Sequence, residues 1–201
     1  VQRKPRIVSA LRERSRGGVQ VELDGEPWRL LPVDAVVRAG LAVGRTLDRV
    51  TARALARELR RAKATRTATR ALTARDRSRQ ALEERLTRAG IPAGTRAETL
   101  TALERAGLVD DARVAEARAR ALASRGYGDA AIRADLEREG IDADLVDGAV
   151  AALEPERERL RRALERGGRE PRTLRRLVAR GFAPEAVADE ARVESGFADA
   201  P

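Results

Sequence analysis

The chain has 201 residues, 42% hydrophobic and 36% charged, with a formal net charge of +9; that suffices for one or two folded domains and argues against a disordered polymer. It contains no Cys, Met or His, which excludes a disulfide framework, a thiolate nucleophile, a Cys/His zinc cluster and an imidazole base. No stretch approaches the roughly 20 apolar residues of a membrane span, so the expectation is a cytoplasmic protein that is not an enzyme, holds no cofactor and touches no membrane.

The first strand signals stand near the N-terminus. Val19, Val21 and Leu23 alternate with Gln20 and Glu22, Asp24-Gly25 follows, and Trp28 and Leu30 then flank Arg29. Asp-Gly between alternating runs is a hairpin signal, because such a turn needs positive φ at its central residues. A strand over about Arg6 to Arg12 would give the hairpin a third neighbour, and a hairpin alone is marginal. Pro32-Val33-Asp34 opens a short helix that stops at Gly40, and Val43-Gly44 marks a further turn.

From Thr51 onward the apolar spacing is helical to the end. Leu55, Leu59 and Ala62 form one stripe and Ala68, Ala71 and Leu72 another, decorated by Arg53, Arg57, Arg60, Arg61, Lys63, Arg66 and Arg70, with Glu58 the lone acid among them. This reads as a basic helical connector.

An internal repeat follows. Leu82 and Leu86 precede Gly90-Ile91 by eight and four residues; Ile132 and Leu136 stand in the same relation to Gly140-Ile141, and Thr173 and Leu177 to Gly181-Phe182. The pattern describes a helix whose i and i+4 residues face a core, stopped by a left-handed glycine, with the next apolar residue folded back over the last turn. A second helix follows each stop, carrying Leu100 and Leu103, Val150 and Leu153, and Ala191; Glu194 stands where the first two copies have Leu. Leading helices at about Thr65 to Arg75, Asp111 to Ser124 and Pro155 to Arg166 complete units of three helices each. The fold expected is mainly α: tandem three-helix repeats in an elongated, curved array, with a small N-terminal segment containing a β-hairpin. The division reads 1–50 for that segment, 51–110 for the connector and first repeat, 111–154 for the second and 155–201 for the third.

Charge is polarised along the chain. Residues 1–80 carry +12, residues 81–156 carry −6, residues 157–180 carry +7 and residues 181–201 carry −4. Such alternation suits separate faces that meet an acidic partner or nucleic acid, as well as plain solvated helix faces. Arg172, Arg176 and Arg180 share one helical face with Arg175 beside them, and Arg75, Arg77 and Arg79 surround the start of the first repeat's middle helix. Like charges at this spacing repel by a few tenths of a kcal/mol per pair, which a partner carboxylate or phosphate would relieve.

Two motifs invite chemistry. Asp110-Asp111 in Gly107-Leu108-Val109-Asp110-Asp111 could ligate magnesium, but no third carboxylate lies at a suggestive spacing, and capping of the next helix is the better reading. Arg125-Gly126-Tyr127-Gly128 lacks the Lys and the preceding strand of a phosphate-binding P-loop and reads as a tight interhelical turn, with Tyr127 packed and its hydroxyl at the rim.

The ordered set Arg77-Ser78, Leu82, Leu86, Gly90-Ile91, Gly107 to Asp111, Arg125 to Gly128, Ile132, Leu136 and Gly140-Ile141 resembles the motif run of the RecX family, with the Val19 to Gly25 hairpin and the Gly40 to Gly44 turn resembling its N-terminal extension. The chain departs from the family at Val114, where Phe is usual, and in its third repeat, which is poor in large apolar residues. The resemblance implies a monomeric bacterial regulator that binds RecA filaments on DNA and restrains their ATPase, extension and strand exchange in recombination, DNA repair and the SOS response. The candidate contact residues are Arg57, Arg60, Arg61, Arg75, Arg77, Arg79, Arg125, Tyr127, Arg172, Arg175, Arg176 and Arg180. The alternative is a sequence-independent DNA-binding protein that competes for DNA; the scarcity of aromatic rings for base stacking argues against it.

Overall fold

A computed structural model describes residues 6–14 and 17–192. Asp24 and Gly25 take φ of 53° and 87°, the double positive-φ turn that joins β2 (Gly18–Leu23) to β3 (Glu26–Pro32). The expected third strand is β1 (Arg6–Arg14), antiparallel to β2. A two-residue strand, β4 (Thr46–Leu47), pairs with Arg6 and Ile7 and completes the order β3-β2-β1-β4; two residues are too short to show a period in sequence.

The alternation expected of Trp28 and Leu30 is broken by a bulge. Val21 pairs with Arg29 but Glu22 with Pro27, so Trp28 is an extra residue and the strand changes phase. Leu31, opposite Val19, is therefore buried, whereas Leu30 is 60% exposed. Trp28 packs on the core of Val8, Val21, Leu23 and Val36, with the Arg29 guanidinium 5.5 Å from its ring centroid.

After α1 (Val33–Arg38), the helix α2 runs without interruption from Arg49 to Ala74. The connector and the expected leading helix near Thr65 are thus one element, because no Gly or Pro interrupts an Ala-, Leu- and Arg-rich run. Its two apolar stripes have a geometric meaning. Thr51, Leu55 and Glu58 are buried in its first half and Ala64, Ala68 and Ala71 in its second; at 3.6 residues per turn the two sets lie roughly 140° apart around the axis. Leu55 joins the core of the sheet, while the second half is tied by Lys63 Nζ donating to the Ala89 carbonyl (2.8 Å) and by an Arg61–Glu98 ion pair (3.2 Å).

The remaining helices are α3 (Arg79–Arg88), α4 (Ala93–Arg105), α5 (Asp111–Ser124), α6 (Asp129–Arg138), α7 (Ala143–Ala151), α8 (Glu156–Gly167), α9 (Pro171–Ala179) and α10 (Pro184–Arg192). The described residues up to 74 form one compact unit with 83–102, and 75–82 form a second with 103–192.

Each repeated glycine does what its spacing predicts. Gly90, Gly140 and Gly181 take φ of 70°, 76° and 84°. Each donates to the carbonyl three residues earlier, and the apolar residue that follows donates to the carbonyl five residues before itself: Ile91 to Leu86, Ile141 to Leu136 and Phe182 to Leu177, at 3.1–3.2 Å. This is the doubly bonded C-terminal cap that satisfies carbonyls a helix end leaves bare. Leu82, Leu86, Ile132 and Leu136 are fully buried, Thr173 and Leu177 nearly so.

Helices α5, α6 and α7 close over Val114, Ala115, Ala119, Ile132, Leu136, Val146 and Val150. Helices α8, α9 and α10 close over Leu160, Leu164, Leu177, Phe182 and Val187. Phe182 and a buried acid, Glu190, compensate the third repeat for its lack of large aliphatic side chains. Ala191 is half-buried near the end of α10, and Glu194 lies outside the described residues.

The second and third repeats meet through their turns. Gly128 N–H donates to the Arg180 carbonyl (2.9 Å) and Ala130 N–H to the Gly181 carbonyl (3.2 Å), an approach that leaves no room for a Cβ on Gly128 or Gly181. Gly128→Ala is expected to cost about 2 kcal/mol or more through this clash, whereas Gly148→Ala, inside α7 with open space around it, should add about 1 kcal/mol. Urea-unfolding midpoints of the two variants measure the contrast.

Candidate functional site

The turn between α5 and α6 is the densest meeting of predicted residues. Helix α5 stops with Gly126 at φ 80° and Tyr127 N–H donating to the Leu122 carbonyl, which lays the half-buried Tyr127 ring against the α5–α7 core. The guanidinium carbons of Arg125 and Arg180 lie 5.6 and 5.7 Å from its centroid. Each contact is worth about 0.5–1 kcal/mol at such a site. Arg180 also donates to the Arg125 carbonyl (3.4 Å), so the last member of the predicted arginine row belongs to the turn.

Arg172, Arg175 and Arg176 differ from it. All three are exposed on α9, and none pairs with a carboxylate among the described residues. Arg75 is bound to the buried Glu139 (3.2 Å), Arg79 to Glu104 (2.6 Å), and Arg77 is half-buried. On α2, Arg61 is paired with Glu98, Arg57 lies 3.6 Å from the buried Glu58 carboxylate, and Arg60 is exposed.

Asp110 caps α5, its carboxylate accepting from Arg113 N–H (3.0 Å). Asp111 instead accepts from the backbone N–H of Arg79 (2.7 Å) and so ties the start of α3 to α5. Burial pushes its carboxyl above the usual range, against the pull of that N–H. Among the described residues no group of carboxylates could hold a metal ion.

Three charged residues that no sequence motif marks organise this unit. Arg159, 8% exposed, reaches back from α8 and donates to the carbonyls of Tyr127 (2.8 Å) and Glu154 (3.0 Å) and to the Asp129 carboxylate. Glu139 receives Arg75 and Arg118, and its backbone carbonyl accepts from Ser78 Oγ. Glu190 is held on α10 by Arg157 and Arg161, and the Arg161 hydrogen bond foremost, then that of Arg157, holds its carboxyl below the usual range. A periodicity search passes over all three, since it treats charged positions as surface.

Residues 110–150, which are α5, α6 and α7 with their caps, match the sequence profile described as "RecX, second three-helix domain". Over this stretch the chain is similar to the RecX family. A crystal structure of a regulatory protein RecX superposes with a TM-score of 0.73 at 20% identity, covering 91% of this chain and 97% of the other. A crystal structure of RecX from Lactobacillus salivarius gives 0.57 at 18% identity, over 66% and 95%. At these identities the likeness is one of fold, and it extends to RecX chains over nearly their whole length. No curated protein matches the sequence. Where RecX proteins usually carry Phe, Val114 is buried in the α5–α7 core. Among the described residues no helix is long and apolar enough to cross a membrane.

Two outcomes follow. Arg159→Ala leaves Asp129 and two carbonyls unpaired and should lower stability by about 2 kcal/mol, Asp129 keeping some access to water; Arg159→Lys should recover little, because an ammonium's donors leave from one nitrogen, whereas the three acceptors are placed around three guanidinium nitrogens. The second concerns acid. A carboxylate with a depressed pKa in the folded state stabilises above its unfolded pKa and loses that contribution as pH falls through the folded value. Unfolding of the wild type should therefore become easier below about pH 4.5, and Glu190→Gln should be less stable at pH 7 with a shallower acid limb, measured by thermal unfolding across pH.

Proposed function

We propose that this chain is a regulator of the RecA recombinase, binding RecA filaments on DNA and inhibiting their ATPase, extension and strand exchange in a bacterial cytoplasm. The observation that carries the reading is the arginine row on α9. Arg172, Arg175 and Arg176 stand about one turn apart with no paired carboxylate among the described residues, a repulsive arrangement that an external acidic surface stabilises. The similarity of residues 110–150 to a RecX domain and the RecX-like fold suggest the partner. The body of the regulator is the set of three-helix repeats at 51–110, 111–154 and 155–201, used as a monomer without a cofactor or catalytic step of its own; any ATP turned over is RecA's.

The turn at Arg125, Tyr127 and Arg180 contributes by holding α9 in register with the second repeat rather than by contact alone. The arginines of α2 and of the α2–α3 link, Arg57, Arg60, Arg61, Arg75, Arg77 and Arg79, supply secondary contacts to the filament or its DNA. Competition for DNA is the other reading of the same charges. It requires affinity for naked DNA that falls steeply with salt through counterion release.

DNA-dependent ATPase of the cognate RecA, titrated with this protein and with the Arg172→Glu/Arg175→Glu/Arg176→Glu variant, separates the two. Inhibition by the wild type well below the amount that would cover the DNA, lost in the variant, is the expected result. Inhibition that appears only at saturation of the DNA would overturn the filament reading in favour of competition.

A further inference from the structure

A cavity of about 390 Å³ opens within the second compact unit, between the C-terminal end of α5 and the face of α8. Its floor is apolar, from Ala123, Leu153, Ala163 and Phe182, and its wall carries four arginines, Arg120, Arg159, Arg162 and Arg166, against one acid, Glu154. The volume lies in the range of small-molecule sites, and its open, mostly polar lining suits a charged ligand rather than an apolar one.

The charges on the wall are unevenly satisfied. Glu154 engages Arg162, and Arg120 leans on the exposed Glu116 at 3.4 Å. Among the described residues Arg166 has no carboxylate partner and donates to the Arg162 carbonyl (3.1 Å). Arg159, at the same wall, spends three donors on Tyr127, Glu154 and Asp129. Arg162 and Arg166 are one turn apart on α8, roughly 6 Å along its axis. Spaced this way, the two guanidinium groups can share one phosphate or each take one of two linked phosphates.

We propose that this cavity binds a small diphosphate- or triphosphate-bearing molecule, with phosphoryl oxygens on Arg120, Arg162 and Arg166 and the organic portion, where there is one, on the Ala123–Leu153–Phe182 floor. Arginine is suited to this because its planar fork matches phosphoryl oxygens and it stays charged. Glu154 is the resident counter-ion: the incoming phosphate replaces its hold on Arg162, so binding is selective for ligands with more than one negative charge. The site is separate from the α9 row proposed to meet RecA, since none of Arg172, Arg175 and Arg176 lines it.

The test uses the full chain and isothermal titration at physiological salt with inorganic pyrophosphate, inorganic phosphate and ADP. Pyrophosphate should bind at least about tenfold more tightly than phosphate, and ADP more tightly again if the floor takes the base; equal affinity for pyrophosphate and ADP would assign the ligand to the phosphate chain alone. Arg120→Gln/Arg166→Gln should weaken pyrophosphate about a hundredfold, each lost charged contact being worth about tenfold. Arg66→Gln/Arg70→Gln, which removes the same charge from exposed positions on α2, should leave it unchanged. Equal weakening in both double variants, or no heat with any of the three ligands at millimolar concentration, overturns the site. Unchanged circular dichroism and unfolding midpoint in the Arg120/Arg166 variant show that a loss of binding is not a loss of fold.

Discussion

The way each helix ends governs the rest of the molecule. A helix that stops with a left-handed glycine returns its chain at a fixed angle and presses the following apolar residue onto its own last turn. Ile91, Ile141 and Phe182 occupy that place at 2–5% exposure, and because each is also a core residue, the cap and the core are one interaction. Loss of the glycine would misdirect the chain and empty the core together. At Gly181 the left-handed stop serves a second purpose: it lets the extended Gly128 approach closely, so that Gly128 and Ala130 donate to the carbonyls of Arg180 and Gly181.

Most of this was legible from residue order. The hairpin turn, the glycine stops, the buried i and i+4 pairs and the Asp110 cap all follow from local rules that act within a few residues. What stayed hidden depended on pairings far apart in sequence. The bulge at Trp28 is set by register against β2, and β4 exists only because Arg6 and Ile7 need a neighbour. The role of Arg159 rests on acceptors up to 32 residues away, and nothing in its own surroundings distinguishes it from the exposed arginines beside it.

The candidate surface residues sort by what they already hold. Arg75 and Arg79 are occupied by internal carboxylates, Arg125 and Arg180 by a ring, and Arg61 by Glu98. Sequence spacing could place them on helical faces but could not show which acids reach them. The exposed trio on α9 pairs with no carboxylate among the described residues, which is why the proposed reading rests on it.

With two Phe, one Tyr and one Trp in the whole chain, guanidinium planes do work that rings do elsewhere: they cover Tyr127, close over Glu190 and clasp the start of α6. This shapes how the protein responds to temperature. Unfolding releases less apolar surface and more polar surface than in an aromatic-rich domain of equal size, and these two contributions to heat capacity have opposite signs. A small heat-capacity increment and a flat, broad stability curve are the outcome to expect, with the cost of desolvating ion pairs falling on warming. Clamping by guanidinium groups in place of rings should therefore make the helical units tolerant of temperature change rather than exceptionally stable at any one temperature.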